Sequence, residues 1–82
     1  MKVILNNKIR DVKEFTSLFE APPTMYDDVW VDEKTNDFFH VTGPRALEEI
    51  VAVPIDWVRQ FVEGKQVSEI EIEKLREWEI IE

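Results

Sequence analysis

The sequence predicts an α+β domain, a small antiparallel sheet of three or more strands packed with about three helices. Three observations predict it. Residues 27–42 alternate side-chain character about a polar turn, the pattern of a β-hairpin. Residues 54–63 and 68–79 carry helical spacing between start and stop signals. A chain of 82 residues that is 44% apolar, 11% of it aromatic, is long enough for one domain with a modest core.

The elements follow in order. Lys2–Leu5 reads as a short strand, and Asn6-Asn7 tolerates the positive φ of a tight turn into a return strand over Lys8–Arg10. Asp11 stands as a helix N-cap with Glu14 in capping-box position, and Val12, Phe15, Leu18 and Phe19 repeat at helical spacing. A helix over 11–20 is expected, stopped by Pro22-Pro23. Val29 and Val31 alternate with Asp28, Trp30 and Asp32, the segment 33–36 is a polar turn, and Phe38–Val41 return. This predicts strands near 27–32 and 37–42, ended by Gly43-Pro44.

Residues 46–53 suit either a helix, through Leu47, Ile50 and Val51, or a third strand, through β-branched Ile50, Val51 and Val53; the reading leans to a strand in an antiparallel meander. Pro54 and Gly64 bracket a helix over 54–63 whose apolar stripe is Ile55, Val58, Phe61 and Val62. The tail alternates like a strand at 69–73. Its Ser68/Glu71 capping box and helix-forming continuation favour a helix over 68–79, with Ile72, Leu75 and Trp78 on one face.

Charge is the dominant compositional signal. Eighteen acidic and ten basic residues give a net charge of −8. It is unevenly spread: residues 1–13 carry net +3 and the remainder net −11. Such a field repels DNA, RNA and anionic lipid and favours basic partners. An acidic surface also serves solubility alone. There is no Cys, hence no disulfide or thiolate site, and no apolar run approaches the ~20 residues of a membrane span. The apolar run at 3–5 is too short for a signal-peptide core, so a cytoplasmic protein is expected.

Catalysis finds little support. A nucleophile needs a base within hydrogen-bond reach, and the single His40 sits mid-strand between Phe39 and Val41. The loop from Asp32 lacks the Gly and Glu that an EF-hand needs, holding Asp37 and Gly43 there instead, and there is no zinc spacing or Gly-rich phosphate loop. No enzyme activity, metal or cofactor is therefore expected.

Two acidic rows carry the functional expectation. On a helix over 68–79, Glu69, Glu73 and Glu77 fall one turn apart, ~6 Å along the axis, a spacing like that of successive backbone phosphates. Lys74 and Arg76 lie close enough to soften that row. On the hairpin, Asp28, Trp30 and Asp32 share one strand face, with Asp27, Glu33 and Asp37 near the same end. If the valines point inward, Trp30 points outward between carboxylates, as an interface anchor would; packing under the 54–63 helix or at a dimer seam is the competing placement. Three Trp and the Ile80-Ile81 end leave room for a homodimer.

In size, acidity, missing Cys and lack of catalytic groups, the chain resembles the small DNA-mimic inhibitors encoded by bacteriophages. The resemblance is one of composition over the whole chain and carries no motif, so it assigns no residues. It implies competitive occupation of a basic DNA-binding surface in the host cytoplasm, an HU-type nucleoid protein being the favoured partner. The alternative is an adaptor or inhibitor that binds a basic partner without imitating DNA.

Overall fold

The computed structural model describes residues 1–19 and 24–82. Within them the chain is α+β, with a two-stranded and a four-stranded antiparallel sheet and two α-helices. Strands β1 (Lys2–Leu5) and β2 (Lys8–Asp11) form the first hairpin. Asn6 and Asn7 both take positive φ, 53° and 63°, which is the type I′ geometry that matches strand twist.

The expected helix over 11–20 is not formed. Asp11 does act as a cap, accepting a hydrogen bond from the Lys13 backbone N–H, but it caps a single 3-10 turn over Val12–Glu14. Phe15–Ser17 then runs as strand β3. Glu14 does not close a capping box; its carboxylate pairs with Lys34 Nζ at 2.6 Å. Aromatic and β-hydroxyl residues at 15–17 suit a pleated surface, and β3 pairs in register with the end of the next strand, Phe15 opposite Asp32. The expected helix end and proline stop lie at residues 20–23, outside the described residues. Leu18 and Phe19 are buried in the core, as expected of them.

The predicted hairpin is present and longer than read: β4 (Met25–Asp32) pairs with β5 (Asp37–Pro44), Trp30 opposite Phe39. The segment 46–53 resolves in favour of the strand, as β6 (Glu49–Val53), which completes the order β3-β4-β5-β6. Helix α1 (Ile55–Val62) starts after Pro54, and Gly64 takes the positive φ of a C-terminal stop. Helix α2 (Glu69–Glu77) starts with the predicted capping box: Glu71 N–H donates to Ser68 Oγ at 3.2 Å, and Ser68 N–H donates to Glu71 Oε1 at 2.9 Å.

Both helices pack on the sheet face that carries Val29, Val31 and Phe38, closing a core with Leu18, Val58, Leu75 and Ile80. Trp57, Trp78 and Ile81 pack against the same cluster, so the apolar end folds back onto its own chain. The opposite sheet face is covered too. Phe15 stacks on Phe39 at 5.1 Å, and the Arg10 guanidinium from β2 sits 5.2 Å from the Phe39 ring.

Candidate functional site

The structure separates the two acidic rows by fate. Asp28 and Asp32 were expected on an open strand face; they are only 1% and 3% exposed. The alternation that placed them beside Trp30 holds. The cover comes from distant residues: Ser17 and Phe19 enclose Asp28, and Arg10 of β2 reaches Asp32.

Asp28 is held by an internal network. Its Oδ1 accepts from the Phe19 and Val29 backbone N–H groups at 3.0 and 2.7 Å. Its Oδ2 accepts from Trp30 Nε1–H at 3.0 Å and contacts Ser17 Oγ. Burial raises the carboxyl above the usual Asp range, and the hydrogen bonds from Ser17, Val29, Phe19 and Trp30 offset only part of it. Ser17 Oγ also contacts the Phe19 carbonyl.

Trp30 is neither an open anchor nor placed under α1. It lies half-buried on the face away from the helices, its ring at right-angled contact with Tyr26 (5.7 Å, 85°) and edge-on to Phe15 at 6.3 Å.

Asp32 and Asp37 share one cation. Arg10 Nη1 lies 3.1 Å from Asp32 Oδ2 and 2.8 Å from Asp37 Oδ2, and donates to Thr35 Oγ1 at 3.0 Å. Burial alone would lower the Arg10 pKa, but the bonds to Asp37 and Asp32 outweigh it and raise it. Burial likewise works to raise Asp37, and the hydrogen bonds from Arg10 and Thr35 outweigh it and hold the carboxyl below the usual range. One cation of the basic N-terminal segment is thus the internal counter-charge of the hairpin. Asp27 is exposed and meets His40 Nε2 at 2.9 Å, while the His40 ring packs on Trp57 and Phe61. Glu33 is exposed and accepts from Thr16 Oγ1 at 2.6 Å. Among the described residues no hydroxyl hydrogen-bonds His40, and no group of three or more His or acidic side chains is placed to hold a metal ion.

The α2 row stands as read. Glu69, Glu73 and Glu77 are all exposed and have no ion-pair partner among the described residues. The two helix cations that could soften the row turn elsewhere: Lys74 Nζ donates to the Ser17 carbonyl at 3.1 Å, and Arg76 Nε to the Glu82 carbonyl at 3.4 Å. At the C-terminal end of α2 the row opens onto a groove of about 540 Å³. Its walls include Phe38, Ile55 and Trp78, and its acids are Asp37, Glu77 and Glu79. The structure therefore brings together Asp37 and Glu77, one from each expected row, and adds Glu79. The helix expected over 68–79 includes Glu79. Its φ of 60° instead marks the chain's turn after Trp78.

No helix among the described residues is long and apolar enough to cross a membrane. Comparison with protein-family models, with curated proteins and with solved structures finds no match to this chain.

Proposed function

We propose that this chain is a non-enzymatic acidic binding protein that occupies the DNA-binding surface of a basic protein and competes with DNA for it. The observation that carries the reading is the α2 row: Glu69, Glu73 and Glu77 exposed at one-turn spacing, with Lys74 and Arg76 directed to backbone carbonyls instead. Carboxylates ~6 Å apart can meet the Lys and Arg that otherwise bind phosphate. Cations are also favoured at the C-terminal end of a helix, where Glu77 and the groove lie. Steering by the net charge of −8 would make association fast and salt-sensitive.

A second reading has its own support. Burial of Asp28 and Asp32 leaves one exposed acidic row rather than two. That suits an adaptor or inhibitor which grips a basic partner through α2 and the groove without following the path of a DNA backbone.

Titration of the protein against a purified HU-type nucleoid protein, with and without duplex DNA, tests the proposal. Binding that duplex DNA displaces and added salt weakens supports mimicry. Binding that persists in saturating DNA selects the adaptor. No binding to HU or to a panel of other basic DNA-binding proteins overturns the mimic reading.

A further inference from the structure

The four-stranded sheet ends on β6, which pairs with β5 from Glu49 to Val53 and has no strand on its other side among the described residues. An open edge presents unpaired N–H and C=O groups. Folded proteins ordinarily blunt it with Lys, Pro, a bulge, a very short strand or a covering element. The opposite edge, β3, is three residues long. β6 carries no such device within its five residues: Ile50, Val51, Ala52 and Val53 follow Glu49, and Pro54 comes only after the strand.

Nor does the helix layer reach over it. Val51 at the centre of β6 is 56% exposed, although its cross-strand neighbour His40 is half-buried beneath Trp57 and Phe61. The start of the strand is acidic. Glu49 is exposed, and Glu48 keeps one carboxylate oxygen, Oε2, buried without a hydrogen-bond partner among the described residues. The partly exposed Glu48 and the exposed Glu49 are the side chains that an incoming cation can reach.

The geometry points to β6 as a docking edge for an extended basic segment of the partner. That segment adds a fifth strand through backbone hydrogen bonds, sets an apolar side chain beside Val51 and brings Lys or Arg to Glu48 and Glu49. Charge selects this occupant over a second copy, which would set −8 against −8 and bring no cation to the acidic end of the strand. The inference rests on the reading of a basic partner and adds a second contact, separate from α2.

The test titrates the isotope-labelled full chain with a blocked heptapeptide of alternating Lys and Val, and separately with its Glu–Val counterpart. Expected are shifts and slowed amide exchange within 49–53 for the Lys–Val peptide alone. Affinity should fall about tenfold in Glu49→Lys, and the effect should vanish in Ala52→Pro, which removes an N–H that faces away from β5. Val51→Lys, which keeps the backbone and changes an exposed side chain, should weaken binding as well. Shifts confined to Glu69–Glu77 would overturn the edge and leave the acidic-partner reading standing. Equal binding of the Glu–Val peptide would also overturn it. So would a Val51→Cys chain, otherwise free of Cys, that forms a disulfide dimer in preference to an Ile70→Cys chain, because a second copy would then own the edge.

Discussion

Arg10 on β2 and Asp32 at the end of β4 form a buried ion pair, Nη1 to Oδ2 at 3.1 Å, with both side chains about 5% exposed or less. The pair ties the N-terminal hairpin to the four-stranded sheet and draws in Thr35 from the following turn and Asp37 at the start of β5. Removing one member of such a pair leaves the other charge desolvated. Arg10→Met should therefore destabilise the fold by about 3–5 kcal/mol, and adding Asp32→Asn should restore more than half of that loss. Urea unfolding of the single and double variants checks this. A single variant within 1 kcal/mol of wild type, on the order of a surface pair, would show that the bridge ties nothing together.

Two carboxyls set opposite pH dependences. Burial holds Asp28 above its ordinary range, so its contribution to stability is full below the unfolded value and is lost as pH rises through the folded pKa. Asp37 is held low by Arg10 and Thr35, so its contribution is present above the unfolded value and is lost as pH falls through the folded pKa. Asp28→Asn should destabilise by about 1–3 kcal/mol, since an amide cannot accept both Trp30 Nε1–H and the backbone donors on one oxygen. The difference between wild type and variant should be largest at acid pH, near and below about 4, and shrink as pH rises. Denaturation of both chains across pH decides it. A difference that grows with pH would show that Asp28 is not held above its ordinary range.

How legible the fold was depended on what each segment needed to know about its neighbours. The Asn6-Asn7 turn, the β4–β5 hairpin and the Ser68 capping box rest on contacts within a few residues, and the sequence shows all three. Val12, Phe15 and Leu18 carry helical spacing, yet residues 12–17 form a 3-10 turn and a strand because a distant partner pairs with them. The deciding contact, β3 against the end of β4, joins residues as much as 17 positions apart, Phe15 to Asp32. The difference carries into the site. With 15–17 taken as helix, the bonds from Ser17 and Phe19 that enclose Asp28 are missed, while the burial of Asp32 follows from a separate distant contact, Arg10 of β2. The α2 row was legible because capping and a local apolar stripe orient that helix without reference to the rest of the chain.

The capping box should matter locally. Ser68→Ala removes the oxygen that accepts Glu71 N–H, and should cost about 1 kcal/mol. Because Leu75 and Trp78 anchor α2 to the core, the loss should appear as faster amide exchange in the first turn of the helix while the sheet keeps its protection. Residue-resolved exchange measures it. Uniformly faster exchange through β4 and β5 would mean that α2 is not a separable local element.

Charge reversal of the α2 row tests the function directly. In Glu69→Lys/Glu73→Lys/Glu77→Lys, three reversals worth two charges each take the net charge from −8 to −2. All three side chains are exposed, so the fold should survive, with circular dichroism unchanged. Affinity for the basic partner should drop on the order of a hundredfold, with a shallower dependence on salt. Asp56→Lys/Glu63→Lys/Glu82→Lys carries the same net charge with the row intact and serves as the control. If binding follows the row, the control should lose far less, because only local carboxylates meet the partner's cations. Equal losses in the two variants would mean that overall charge alone drives association, and the ordered spacing on α2 would then have no part in recognition.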